Sequence, residues 1–524
     1  VRKALRLIAA LALLSTAAAA ESVLNRGNRF EPATLDPHKY QTHYEANIIL
    51  DLFESLLTYD AEGRPTRGVA DTWKVSDDGR TWTFRLQTGL AWSDGAPLTA
   101  EDVVFSFRRL ADPKTAAQYA QLFYVVENFR AVNTGALPVD QLGISTPDPA
   151  TVIFKLETPA PYLPALLANA FAAVIPRHAV AKYGTEWIKP GVMVSNGAFT
   201  LKTWSPNDRI ELARNPKFRA VEEVRLNRVV YSPTENLSAG FARFRAGELD
   251  MQIDFPLAQL DMLRAEMPTE TKITPTLLTY YLALNTKSPK LADVRVRRAL
   301  SLAVERDVLT SRVTRIGETP AFTFVPPRVA DFPAWMHVDA GLNATQRLAA
   351  AAKLLAEAGY GKAKPLKLST SFSATEDNKR IAVAIAGMWK RVGVETELLG
   401  REGRVHFASL KSGDFEAGFA GWSADFNDAS TFLYTLQSAA VNSNYSRYAN
   451  PAFDALMERA AREQSLVARA QLLQQAEKTA LADQPIIPLY TGMARNLVAR
   501  RVTGWRANAM DFNLSRYLSV PKRD

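Results

Sequence analysis

The sequence predicts an α/β protein of two or three domains, and three observations lead there. The chain runs to 524 residues, whereas single hydrophobic cores stop growing near about 250–300 residues. Hydrophobic residues make up 47% and charged residues 22%, an ordinary globular balance that can fill more than one such core. Short β-patterned segments alternate with longer helix-patterned ones along the whole chain, which favours α/β lobes over an all-β or bundle fold. No internal repeat or low-complexity segment stands out.

The opening twenty residues, VRKALRLIAALALLSTAAAA, combine three cations (Arg2, Lys3 and Arg6) with an apolar stretch from Leu5 to Leu14 and end in small residues. That order reads as a secretory signal with the mature chain beginning at Glu21. Its apolar part falls short of the roughly 20 residues a transmembrane helix needs. The sequence contains no cysteine, so stability must come from buried area, and the thiol that a lipid anchor requires is missing. The expectation is a periplasmic protein without disulfides or lipid.

Next, SVLNRG is a short alternating strand, and TLDPHKY carries a turn fixed by Asp36-Pro37. The segment TWKVSDDGRTWTFRL reads strand, Asp78-Gly79 turn, strand. Thr99 followed three residues later by Asp102 announces a helix before Val103, Val104, Phe105 and Phe107. Another helix begins at DVRVRRALSLAVERD, with Val296, Leu300, Ala303 and Val304 on its buried face and Arg295, Arg297 and Arg298 expected on its solvated one. TQRLAAAAKLLAEAGY is helical until Gly359, at the position where left-handed geometry costs glycine least. NPAFDALMERAA starts with Asn450 as cap and Pro451 in the first turn.

The composition narrows the chemistry. The formal charge is +9, or +6 without the three signal cations, and it is dispersed among 54 acids. No basic run with interleaved aromatics argues for nucleic acid. Five histidines lack i,i+4 pairing and cysteine partners, so no metal site is expected. GWSAD matches a nucleophile elbow for four positions, but Asp425 stands where the second glycine belongs. DFNDAS begins like a calcium loop, and Ala429 and Ser430 then occupy places that need an oxygen ligand and a glycine. No phosphate-cradling glycine loop is present, and no cofactor is expected.

Six segments do speak together: LNRGNRFEPATLDPHKYQTHYEANIILDLFESLL, WSDGAPLTAEDVVFSFRRLADP, NGAFTLKTW, YYLALNTKSPKLADVRVRRALSLAVERD, AKLLAEAGY and GWSADFNDASTFL. In this order, over nearly the whole chain, it resembles the periplasmic oligopeptide-binding proteins of peptide ABC importers (solute-binding protein family 5). The resemblance implies a type II periplasmic-binding-protein fold, with two hinged lobes and an extra domain inserted in lobe I. The implied boundaries are 21–53, 180–275 and 497–524 for the lobe I core, 54–179 for the inserted domain, and 276–496 for lobe II. An extended peptide is then held by main-chain hydrogen bonds, as strand addition does, with its side chains in hydrated pockets.

By the same resemblance, Asp425 pairs with the peptide's α-ammonium, walled by Trp422 and Phe426. Gly421 and Ser423 match the strand along one side of the ligand, Gly421 permitting close backbone approach. Gln41, Thr42 and His43 match a strand along the other side, and Tyr119 matches an aromatic lining. The family's arginines and histidine for the ligand's far carboxylate correspond to Phe419, Leu410, Lys411 and Asn378, so two guanidinium forks are missing. Lys411 as a point charge and Arg404 are the available replacements.

The function expected is a non-enzymatic, monomeric binder that captures short peptides and delivers them to an inner-membrane ABC permease. Murein peptide is the alternative within the fold, followed by nickel chelates, sugars or opines. A hydrolase using Ser423 and a chaperone-like protein are the rivals from other classes.

Overall fold

The computed structural model describes residues 21–361 and 363–522, so the expected export signal at 1–20 lies outside the described residues. Strand β1 (Val23–Gly27) opens the chain, followed by the pair β2 (Leu57–Tyr59) and β3 (Pro65–Arg67). Strands β4 (Ala70–Val75), β5 (Thr81–Leu86), β6 (Ile144–Asp148) and β7 (Thr151–Lys155) form a separate antiparallel sheet in the order β4-β5-β7-β6. Then come β8 (Phe199–Ser205), β9 (Arg209–Arg214), β10 (Arg228–Ser232) and β11 (Met251–Ile253). Strands β12 (Thr271–Leu284), β13 (Leu366–Ser373), β14 (Val394–Arg401), β15 (Ala417–Ser423) and β16 (Ile486–Val498) complete the set.

Ten of these form one mixed sheet in the order β14-β13-β15-β12-β16-β11-β1-β10-β9-β8. The two long strands in its middle, β12 and β16, pair with each other antiparallel, and their register shifts between Pro275 and Thr279. Proline cannot donate to a ladder, and beyond it Leu278 fills the space a side chain at Gly492 would need, 2.5 Å from the Cβ position.

Apolar packing divides on either side of that break. One core draws on residues between Leu24 and Met251 and between Val498 and Val520, with Phe426 its single member from elsewhere. The β4–β7 sheet shares this core, since Phe84, Phe107 and Phe154 belong to it. Two further cores lie between Leu277 and Tyr490, and a small one around Phe241, Phe255 and Leu497 adjoins the crossing strands.

The helices obey local rules. Helix α1 (His43–Leu52) is capped by Thr42 and Glu45. In α2 (Ala100–Ala111) the Asp102 carboxylate accepts the Thr99 N–H at 3.0 Å. Asp293 caps α3 (Val294–Leu302), Asn343 caps α4 (Ala344–Glu357), and Gly359 follows it at φ +84°. Helices α5 (Glu376–Lys390) and α6 (Gly403–Ser412) flank β14. Asn450 caps α7 (Pro451–Arg462), which precedes α8 (Leu466–Asp483).

One face of α3 differs from expectation. Arg295 and Arg298 are exposed, but Arg297 is 7% exposed and donates to the carbonyls of Leu291, Ala292 and Asp483. A guanidinium can enter a core when carbonyls take its donors, and here Asp483 at the end of α8 and the residues just ahead of α3 supply them.

Candidate functional site

A cavity of about 270 Å³ opens between the two halves, lined by Tyr40, Gln41, His43, Tyr119, Asn169 and Phe171 from the first and by Gly421 to Asp425 from the second, together with Met510 and Phe512. Strand β15 supplies one wall. It pairs with β12 along its full length, but with β13 only at Ala417 and Gly418. Past Gly418 that second edge has no strand partner among the described residues. The Phe419 carbonyl on this edge accepts from His406 Nε2 at 2.8 Å. Backbone groups repeat their direction every second residue, so Gly421 and Ser423 face the same way as Phe419, toward the cavity. Ala424, of the other parity, donates back to Leu277 on β12.

Asp425 follows directly. Its N–H donates to Thr431 Oγ1 at 3.0 Å, and that hydroxyl reaches the carboxylate at 3.4 Å. Its carbonyl accepts from Asn169 Nδ2 at 2.6 Å, and Asn169 in turn accepts from the Tyr40 hydroxyl. No ion pair to Asp425 exists among the described residues; the guanidinium that enters this loop, Arg469, is committed to Asp428 at 2.5 Å. Burial raises the Asp425 carboxyl to about 7, and the Thr431 hydrogen bond only partly opposes this. The carboxylate's field also raises the phenols of Tyr40, Tyr119 and Tyr434, behind the larger effect of their own burial. A half-buried acid among three phenols, without a cation, is a place for an incoming ammonium.

The aromatic neighbours divide their tasks. Trp422 lines the cavity, meets Tyr434 edge-on at 5.6 Å and leaves its indole N–H without an acceptor among the described residues. Phe426 does not wall the cavity as expected. It turns into the core of the first half and stacks on Tyr162 at 5.5 Å. The Asp425 loop is therefore anchored across both halves. Tyr119 lines the cavity between Tyr40 and Phe171, with ring centroids 5.2 and 5.1 Å away.

Gln41 to His43 form no strand, contrary to the sequence expectation. Thr42 is the N-cap of α1, and the amides of Gln41 and Thr42 both donate to the Glu45 carboxylate at 2.9 Å. The capping box consumes the donors a ladder would need. Gln41 keeps its carbonyl, which accepts from the Tyr119 hydroxyl at 3.4 Å. His43 stacks on Phe512 at 4.7 Å, and burial lowers its imidazole to about 4, so it is neutral. Gly421 is also explained differently, because a Cβ there would lie 3.0 Å from the Tyr280 ring. The close approach is made by a cross-strand tyrosine.

The positions assigned to a far carboxylate lie elsewhere. Phe419 stacks on Tyr280 at 5.7 Å and Leu410 is fully buried. Arg404 and Lys411 are exposed on α6, outside the cavity lining. Asn378 spends its amide group on the Ser373 carbonyl at 3.1 Å, in the first turn of α5. Sequence reasoning missed Tyr40, Asn169, Phe171, Met510 and Phe512. Tyr40 adjoins a segment already singled out, whereas Asn169 carries no local signal in LLANAFAAV.

Among the described residues no group of three acids or histidines could hold a metal ion. The model of the bacterial extracellular solute-binding proteins, family 5 Middle, matches residues 64–444. The periplasmic oligopeptide-binding protein OppA of Salmonella typhimurium is 36% identical over 493 residues, 93% of this chain and 90% of its own. The probable deoxycholate-binding periplasmic protein YgiS of Escherichia coli is 35% identical, covering 97% and 95%. The structure of the Escherichia coli murein tripeptide binding protein MppA superposes with a TM-score of 0.87 at 35% identity, covering 96% of this chain and 99% of that one.

Proposed function

Because the chain belongs to the bacterial extracellular solute-binding proteins of family 5, we propose that it is a periplasmic peptide receptor of an ABC-type importer. It captures short peptides between two lobes and delivers them to an inner-membrane permease. The single observation that carries this reading is Asp425, a raised, half-buried carboxylate without a cation, lying at the end of the open β15 edge. The peptide amine docks on Asp425, and its backbone pairs with Gly421 and Ser423. The cap at Thr42 leaves the opposite wall to supply carbonyls and aromatic faces, so the strand addition is one-sided.

Lobe I comprises residues 21–53, 180–275 and 497–524 with the inserted 54–179, and lobe II comprises 276–496. The separate cores and the register break in β12 and β16 support that division. Ligand binding favours the closed arrangement through its differential contacts with both lobes. The protein makes and breaks no bond, acts as a monomer, and reaches the periplasm by cleavage after Ala20.

The relatives' cargoes divide between oligopeptide, murein peptide and deoxycholate. A ligand bearing an amine accounts for Asp425 and a bile acid does not. Murein peptide, which also presents an amine, is the second reading. Native mass spectrometry of the protein with its co-purified cargo tests both. Intact peptides support the first, murein fragments the second, and cargo without an amine removes both.

A further inference from the structure

At the other side of His43 and Gly421 two guanidiniums converge on one carboxylate. Arg29, just beyond β1, brings its Nε to 4.0 Å from Asp254, and Arg495 in β16 brings its Nε to 3.4 Å from the same group. Arg495 Nη1 lies 3.9 Å from Asp377 of α5 and donates to the Phe255 carbonyl at 3.3 Å. The Arg29 side chain makes no hydrogen bond among the described residues, although its Nε and Nη1 are shut off from solvent. Each guanidinium offers five N–H donors, so Arg29 is heavily under-satisfied. Arg297 and Arg306, also buried, spend their donors on carbonyls.

The backbone holds this arrangement at a cost. Arg29 and Asp254 have φ of 56° and 62°, in the left-handed region that disfavours residues with a Cβ. Arg29 is pinned there by Thr234, which accepts its N–H at 3.1 Å and donates to its carbonyl at 3.0 Å. Tyr44 and Tyr280 connect the cluster to the cleft. Tyr44 adjoins His43, and its phenol is raised by burial and by Asp254 while Arg29 and Arg495 oppose. Tyr280 packs over Gly421 and feels Arg495.

We propose that Arg29 and Arg495 receive the carboxylate end of the ligand, the free C-terminus of an extended peptide whose amine is held by Asp425. This rests on the peptide reading above. An incoming carboxylate would give the unpartnered Arg29 donors, beside Arg495, the fork geometry in which arginine binds carboxylate best. It would do so without Phe419, Leu410 or the surface residues Arg404 and Lys411 taking part.

Calorimetry with trialanine, tetraalanine and their C-terminal amides tests this on the wild-type protein and on Arg29→Gln, Arg29→Lys and Asp425→Asn. The wild type should bind acids at least tenfold more tightly than amides. Arg29→Gln should abolish that ratio, Arg29→Lys should keep part of it, and Asp425→Asn should weaken acid and amide alike while keeping it. An acid-to-amide ratio near one in the wild type, or one unchanged in Arg29→Gln while Asp425 still matters, overturns the proposal alone. Failure of all four peptides to bind, or binding indifferent to Asp425→Asn, overturns the peptide reading with it. Should Arg29→Gln not fold, the ratio in Arg29→Lys decides, and an unchanged value is negative.

Discussion

Thr431 Oγ1 accepts the backbone N–H of Asp425 at 3.0 Å and approaches its carboxylate at 3.4 Å. One hydroxyl therefore positions the acid without neutralising it. No cation pairs with it among the described residues, and Arg469, which enters the same loop, is held by Asp428.

Asp425→Ala should weaken binding of a short peptide by about 2–5 kcal/mol, the usual cost of removing one member of a buried charge pair. N-acetylation of the peptide should cost a similar amount. Titration calorimetry showing less than a threefold change for the variant would remove the assignment.

Stability should depend on pH through the same group. Its folded value, about 7, exceeds the unfolded one, so its contribution is fully present below about pH 4 and is lost as pH rises through 7. Asp425→Asn should therefore stabilise the unliganded protein at pH 8 by about 1 kcal/mol, discounted for partial solvent access, and have no effect near pH 4. Urea titrations at both values check this. Binding has the opposite sign, because the ammonium needs the ionised acid. Affinity should fall by up to about tenfold per pH unit below 7, and a flat profile from pH 5 to 7 would contradict the pairing.

Glu45→Ala should cost about 2–3 kcal/mol of stability and also weaken ligand binding. Its carboxylate accepts from the amides of Ala33, Thr34, Gln41 and Thr42 and from the Thr42 hydroxyl, and removing a buried acceptor orphans its donors. Since Gln41 and His43 line the cavity, the loss should reach the site. A variant with lowered stability and unchanged affinity would show that the cap serves the fold alone.

Arg297→Ala should destabilise by about 2–4 kcal/mol, whereas Arg295→Ala should stay within about 0.5 kcal/mol. The first removes donors from three carbonyls, that of Leu291 buried and those of Ala292 and Asp483 partly so, and the second loosens an exposed contact with Asp293. Equal midpoints in denaturant would refute the distinction.

What the sequence by itself determined are features decided within a few residues. The caps at Thr99 and Asn450, the stop at Gly359 and the first strand all follow from hydrogen bonds and backbone preferences that neighbours settle. Asp425 was singled out only because its surrounding segment is similar to a known family's, since no local rule identifies it as a site. Only the tertiary structure decided that Gln41 and Thr42 serve a helix cap, that Phe426 crosses into the other half, that Arg297 is buried, and that Arg29 and Arg495 share Asp254. Each depends on partners brought together from distant segments, Arg297 with Asp483 and Arg29 with Asp254. Periodicity along one segment shows which face can be buried, while the groups that will meet it there are fixed by how strands and helices pair across the whole chain.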